Sequence, residues 1–98
     1  MKIYSDDGQC FVDMEYALTI EEVAIFHKEI TPILLTDKEF VIHCVDLKAI
    51  DSAGLQILIS LKKYLEKEEK VFEVTAGIKF NEFIDFFKLG EYFKGAIV

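Results

Sequence analysis

The sequence predicts one α/β domain over residues 1–98, with a mixed β-sheet on which helices pack. Three observations favour this fold class. The length suits a single domain, and a content of 52% hydrophobic and 30% charged residues is typical of a globular chain. After an opening pair of strand-like runs, segments of helical periodicity separate the remaining strands, in the order ββαβαβα(β). Strands separated by helices need crossover connections, so the sheet should contain parallel pairs.

The first two predicted strands form a hairpin around Asp6-Asp7-Gly8. Asp-Gly between two short runs is a hairpin signal because glycine readily adopts the positive φ of a tight turn. The second run alternates in polarity, which assigns four of its side chains to one face: Cys10, Val12, Met14 and Tyr16.

The first helix is predicted to begin after Thr19, which is a suitable N-cap residue. Glu21 and Glu22 then lie in the first turn, where carboxylates favour the helix dipole. Helical spacing predicts an apolar stripe of Ile20, Val23, Ala24, His27 and Ile30. Because Pro32 lacks an N–H, we expect the helix to end near Ile30 or to kink before Leu35.

The run from Glu39 to Asp46 indicates a buried strand, central in the sheet. An amphipathic helix is predicted from Ala53 to about Glu68, and a further strand from Val71 to Thr75. The solvent face of that helix should carry Gln56, Ser60, Lys63 and Lys67.

A last helix is predicted from the helical spacing of Phe80, Phe83, Ile84 and Phe87, with Gly90 as its C′ residue. Three further rings do not fit its inner face and should either pack under the tail or form an exposed patch: Phe86, Tyr92 and Phe93. The last three residues, 96–98, are expected to add a short edge strand at most.

Composition argues against several classes of partner. The net charge is −7, and all eleven basic residues are lysines. Phosphate neutralisation and arginine contacts dominate nucleic-acid binding, so direct DNA or RNA binding is not expected. Anionic membrane surfaces would also repel the chain. With no apolar run of membrane-spanning length and no signal-peptide pattern, we expect a cytoplasmic protein without membrane insertion.

Metal and cofactor chemistry has little support in the sequence. Cys10 and Cys44 lie in apolar surroundings, with no CxxC pair and no histidine at metal-ligand spacing. They are expected to be buried, reduced thiols. We therefore expect no metal site and no cofactor.

Function should gather beyond the carboxyl end of the buried strand, between Asp46 and Gly54. Ser52 precedes the amphipathic helix there, which suits an N-cap. A phosphoryl group on the same hydroxyl would meet the unpaired N–H groups and the positive end of the helix dipole. Gly54 would let another backbone approach closely.

The segment from Val45 to Leu58 resembles the signature of STAS domains, the anti-sigma-factor antagonist family. That signature is a strand, a short loop, the pattern D-[ST]-x-G-L and a helix. Here the run Asp51-Ser52-Ala53-Gly54-Leu55 matches it, and the predicted elements follow the family's order over nearly the whole chain. The resemblance implies a single STAS-like domain.

The resemblance also implies a function. Ser52 matches the family's regulatory phosphoacceptor, which a partner serine kinase doubling as an anti-sigma factor would modify and a phosphatase would restore. The protein would then be a binding module and not an enzyme. The expected partner-binding residues are Leu18, Thr19, Asp51, Ser52, Ala53, Gly54 and Gln56.

Two alternatives remain open at this point. Where many members carry a G-E-L-D type loop, this chain has the run 15–20, Glu-Tyr-Ala-Leu-Thr-Ile. The combination of Leu-Thr-Ile with the later Ala-Gly-Leu-Gln run is more similar to STAS modules of chemotaxis-type signalling complexes. Accessory subunits of phospholipid ABC transporters form another branch of the family. In either case Ser52 would be only a helix cap. The second alternative is an enzyme or a phospho-receiver that holds Mg²⁺ with Asp46 and Asp51.

Overall fold

Ten elements follow one another along residues 1–98, all of which the computed structural model describes. They are β1 (Lys2–Asp6), β2 (Gln9–Asp13), β3 (Ala17–Leu18), α1 (Ile20–Leu34), β4 (Glu39–Cys44), β5 (Ala49–Ile50), α2 (Ser52–Lys67), β6 (Val71–Ala76), α3 (Ile78–Phe86) and α4 (Gly90–Phe93). The predicted order is confirmed, with three short additions: β3, β5 and α4. The optional last strand is reduced to one parallel bridge between Ile97 and Val74.

The main sheet is mixed, as the crossover argument predicts. Its strand order is β1-β2-β4-β6, in which β1 and β2 are antiparallel and the other two pairs are parallel. The predicted hairpin turn is Asp7-Gly8, where φ is 50° and 80°. Two consecutive residues with positive φ form the type of turn that matches the twist of the flanking strands. Strands β3 and β5 pair in parallel as a separate, two-stranded sheet.

One face of the main sheet is covered. In β4, Phe40, Ile42 and Cys44 are buried, whereas Val41 is half-buried and His43 is exposed. The inward residues of β2, β4 and β6 join the buried side chains of the helices in one core of 20 residues. β4 is therefore central, as predicted, but it is fully buried on only one side.

Helix α1 begins after Thr19, as predicted, but it continues through Pro32 to Leu34. Of the two alternatives expected here, an end near Ile30 is wrong, and a kink before Leu35 stays a prediction. Its buried residues are Phe26 and Ile30, so the bulkiest side chains set the inner face. Three members of the predicted stripe are exposed instead: Ile20, Ala24 and His27. The buried Ile30 before Pro32 and the half-buried Ile33 and Leu34 after it pack on the core, and this packing holds the helix together across the missing proline N–H.

The end of α3 differs from the prediction that Gly90 is its C′ residue. The residue in the left-handed region is Lys88, with φ of 58°, and Leu89 N–H donates to the carbonyl of Ile84 at 2.9 Å. This is a Schellman ending, and Gly90 instead opens α4. Phe93 is fully buried, Tyr92 is half-buried, and Phe86 and Phe87 are exposed.

Candidate functional site

The parallel strands β2, β4 and β6 end at one edge of the sheet, and each leads into a helix that starts there. The β3–β5 pair sets two of these helix starts side by side, because Leu18 lies opposite Ile50. Asp51 N–H also donates to the carbonyl of Leu18 at 3.4 Å. We call the two segments Leu18–Ile20 and Asp51–Gly54 the Ser52 corner.

Asp51 is the N-cap of α2. Its Oδ1 accepts a hydrogen bond from Gly54 N–H at 2.9 Å, and its Oδ2 accepts one from Ile20 N–H, also at 2.9 Å. These two hydrogen bonds hold the pKa of Asp51 below its ordinary value, and the bond from Gly54 has the larger effect. One carboxylate therefore serves the starts of both α1 and α2.

Ser52 is not a helix cap, so that prediction needs correction. It is the first residue of α2, its side chain is exposed, and the cap position belongs to Asp51. Both residue types are good caps, and the one that takes the role is the one with extended backbone, here Asp51 with φ −122° and ψ −177°. The hydroxyl of Ser52 is consequently free of a capping role.

A second carboxylate serves the start of α1. The backbone N–H and the hydroxyl of Thr19 both donate to Glu22 Oε1, each at 2.8 Å. These two bonds lower the pKa of Glu22, the backbone bond most strongly. Asp51 and Glu22 also lie close enough at the corner for the charge of Asp51 to act on Glu22.

The corner is closed by a backbone contact. A Cβ atom on Gly54 would lie 2.0 Å from the carbonyl oxygen of Leu18, so only glycine fits there. The same arrangement recurs at the start of α3, where a Cβ on Gly77 would lie 2.2 Å from the carbonyl oxygen of Val45. Helix starts at this edge are packed directly against the preceding strand or loop.

The seven residues expected to bind a partner come together at the corner and the following turn of α2, but they differ in exposure. Ser52 and Gln56 are exposed and one helical turn apart. Three are half-buried: Thr19, Asp51 and Ala53. Leu18 and Gly54 are buried against each other, because the close backbone contact leaves no room for anything between them. Leu18 and Gly54 therefore fix the backbone positions at the corner and offer little surface to a partner.

Of an apolar surface beside the corner, sequence reasoning indicated only Phe86, as a ring that either packs under the tail or is exposed. Five large hydrophobic side chains are at least half exposed there, and we call them the apolar rim: Tyr16, Ile20, Val45, Ile78 and Phe86. Phe86 and Thr19 line one groove of about 360 Å³ together with Lys48 and Lys79. Val45 and Ile78 line an adjoining hollow that shares both lysines. Three of them come one or two residues after a strand end, which is their one shared sequence signal: Ile20, Val45 and Ile78.

The remaining polar groups do not assemble a metal centre. No three His, Cys, Asp or Glu side chains come together in a way that could hold a metal ion. Cys10 and Cys44 are buried, and burial raises the pKa of the two thiols to about 11 and about 12, respectively. None of the helices has the length and apolar content needed to cross a membrane.

Comparison with known proteins identifies the fold. No protein-family model and no curated protein sequence matches the chain. Nine chains of solved structures do match. One is the anti-sigma factor antagonist SpoIIAA in its unphosphorylated form, with a TM-score of 0.81 and 12% identity, over 99% of this chain and 84% of that one. At this identity the likeness shows the fold alone, and it confirms the predicted STAS fold.

Proposed function

We propose that this protein is a protein-binding module whose attachment to a partner is controlled by phosphorylation of Ser52, and that it is not an enzyme. The observation that carries the proposal is the free, exposed hydroxyl at the start of α2. Because Asp51 caps the helix, a kinase can modify Ser52 without removing a bond on which the fold depends.

The docking surface comprises the exposed part of the Ser52 corner and the apolar rim. Thr19, Ser52 and Gln56 supply polar contacts, with Asp51 and Ala53 between them. The rim adds large side chains, of which Phe86 is 79% and Ile20 is 65% exposed. A contiguous exposed apolar patch with a polar border is typical of protein-interaction sites. Leu18 and Gly54 contribute by fixing the shape of the corner.

Phosphorylation would act electrostatically. A phosphoryl group adds about −1.5 to −2 charges at neutral pH. At Ser52 that charge would stand next to Asp51, whose carboxylate itself interacts with Glu22, on a chain whose net charge is already −7. Docking would have to desolvate the phosphoryl group together with the carboxylate of Asp51, which is costly unless both find cationic partners. The modified protein is therefore released.

The STAS fold suggests the partners. SpoIIAA is an anti-sigma factor antagonist, so the partner proposed here is a serine kinase that is also an anti-sigma factor. A phosphatase would restore the hydroxyl of Ser52. We place this cycle in the cytoplasm. Because the chain carries a net charge of −7, it should affect transcription by binding other proteins and not by contacting DNA directly.

The test is affinity capture from the native cell with four baits: wild type, Ser52→Ala, Ser52→Asp and Ser60→Asp. Ser60 is exposed on the same helix, so Ser60→Asp adds the same charge two turns away. Ser52→Asp should recover at least about tenfold less partner than wild type and Ser52→Ala, and Ser60→Asp should match wild type. Incubation of the captured kinase with ATP should add one phosphoryl group to Ser52. Equal recovery by all four baits would refute the switch.

A permanent attachment is the second candidate function. The apolar rim lies beside Ser52 and does not depend on its modification. Such a surface also suits a STAS module of a chemotaxis-type signalling complex or an accessory subunit of a phospholipid ABC transporter. In that case Phe86→Ala would abolish capture and Ser52→Asp would leave it unchanged. Recovery of chemoreceptor components or of a transporter ATPase would select the branch.

A further inference from the structure

Two helices share one carboxylate at the Ser52 corner. Asp51 Oδ1 accepts from Gly54 N–H and so caps α2, its own helix, whereas Oδ2 accepts from Ile20 N–H, the first N–H of α1. Thirty-one positions separate Asp51 from Ile20 in the sequence. No other side-chain hydrogen bond joins the starts of the two helices; Thr19 and Glu22 bond only to each other there.

Losing one of the two hydrogen bonds of Asp51 would have a different effect from losing the other. Loss of the Oδ1 bond would uncap α2 and affect the stability of the whole chain. Loss of the Oδ2 bond would leave α2 capped, and would free the Thr19–Ile20 turn relative to Ser52. That turn carries Thr19 and the exposed side chain of Ile20, both on the proposed docking surface.

We propose that Asp51 is a positioning residue for partner binding, whose Oδ2 holds the Thr19–Ile20 turn in the one arrangement with Ser52 that a partner recognises. The inference rests on the proposed function, since it concerns the same surface. It assigns to the carboxylate before Ser52 a role beyond capping: a link between two segments that must be presented together. Pre-organising both segments removes the cost of ordering them on binding.

Asp51→Asn separates the two roles of the carboxylate. Asparagine is as good an N-cap as aspartate, and its Oδ1 can still accept from Gly54 N–H. Its other terminal group is an NH₂ donor, which cannot accept from Ile20 N–H. Asp46→Asn is the matched control, because it removes the same charge from the loop that precedes β5 while Asp46 makes no hydrogen bond at the corner.

The link can also be removed from its other end. Ile20 is the first residue of α1, a position that proline favours, and Thr19 before it is extended, with φ −116° and ψ −177°. Ile20→Pro therefore deletes the N–H donor with little disturbance of the helix. Ile20→Ala keeps the N–H and deletes the side chain, so it corrects for the lost apolar contact.

The first experiment uses the isolated protein and needs no partner. Amide hydrogen exchange, followed by NMR, should show Ile20 exchanging about fivefold faster in Asp51→Asn than in wild type, since one hydrogen bond is lost. Exchange at Gly54 should stay within about twofold, and Asp46→Asn should change neither amide. Unchanged exchange at Ile20 in Asp51→Asn would overturn the proposal.

The second experiment is a double-mutant cycle on binding to the partner captured by the wild-type protein. Asp51→Asn should weaken binding about tenfold in the wild-type and Ile20→Ala backgrounds. In the Ile20→Pro background it should have no further effect, because the link is already absent. An equal loss in all three backgrounds would mean that charge or capping is responsible, and would refute the positioning role.

Failure of this inference and failure of the proposed function give different results. In one outcome, Ser52→Asp and Ser52→Ala bind the partner equally well, and Asp51→Asn weakens binding in the wild-type background but not in the Ile20→Pro background. The phosphorylation switch is then refuted and the positioning role stands. If Ser52→Asp is released but Asp51→Asn binds normally, the switch stands and the positioning role is refuted.

Discussion

Replacing Gly54 with alanine should destabilise the protein by about 2 kcal/mol. The new Cβ would lie 2.0 Å from the carbonyl oxygen of Leu18, where ordinary contact begins at 3.4 Å, so the two atoms overlap by about 1.4 Å. That oxygen belongs to β3, which β5 holds by backbone pairing, so it cannot rotate away as a side chain would. Overpacking of this kind costs about 1 to 3 kcal/mol.

The opposing effect is smaller. Alanine is favoured over glycine inside a helix by about 1 kcal/mol. Because a rigid backbone atom is displaced, we take the upper end of the overpacking range, about 3 kcal/mol, and the difference leaves a net loss of about 2 kcal/mol. For a domain of this size such a loss lowers Tm by about 10 °C.

Thermal and urea unfolding, followed by circular dichroism, measure this loss. Gly90→Ala is the matched control, because the nearest atom to its Cβ would be Asp85 Oδ1 at 3.9 Å, an ordinary contact. It should unfold within about 0.5 kcal/mol of wild type. If Gly54→Ala unfolds within about 2 °C of the Gly90→Ala protein, the close contact between α2 and β3 does not exist in solution.

Two further predictions concern helix ends. Lys88 has φ of 58° at the end of α3, where glycine avoids a steric cost, so Lys88→Gly should raise the free energy of unfolding in urea by about 1 kcal/mol; a loss of stability would contradict the Schellman assignment. Hydrogen bonds from Gly54 and Thr19 lower the pKa values of Asp51 and Glu22. The stability that they supply is therefore complete above about pH 5 and is lost as the pH falls through the folded-state values. Wild type should accordingly lose more in Tm between about pH 5 and pH 3 than the Asp51→Asn/Glu22→Gln double variant, and equal losses would contradict the lowered pKa values.

Much of the fold could be predicted because its signals are local. Asp7-Gly8 specifies a hairpin turn through backbone preference alone, and Thr19 with Glu22 three residues later specifies a helix start. The crossovers follow from the alternation of strand and helix. β3 and β5 escaped prediction because two residues are too few to show a periodicity.

The errors come from tertiary contacts that local preference does not contain. Asp51 and Ser52 are both suitable caps, and Asp51 takes the role in a corner where β3 and β5 bring Ile20 N–H within reach of its carboxylate. Glycine is the preferred C′ residue, yet the C′ residue of α3 is Lys88, two residues before Gly90. Of the apolar rim, only Phe86 is indicated by the sequence, as one of two open alternatives, since large hydrophobic residues are usually assigned to a core.

Within four consecutive positions, the tolerance to substitution should change sharply. Position 51 is fixed by two hydrogen bonds from two helices, and position 54 by a neighbouring carbonyl oxygen. Position 52, between them, is subject to neither constraint. Substitutions that replace the hydroxyl at position 52 with a methyl group or a carboxylate should therefore leave the fold unchanged. Regulation could be acquired or discarded at residue 52 without any need to redesign the rest of the molecule.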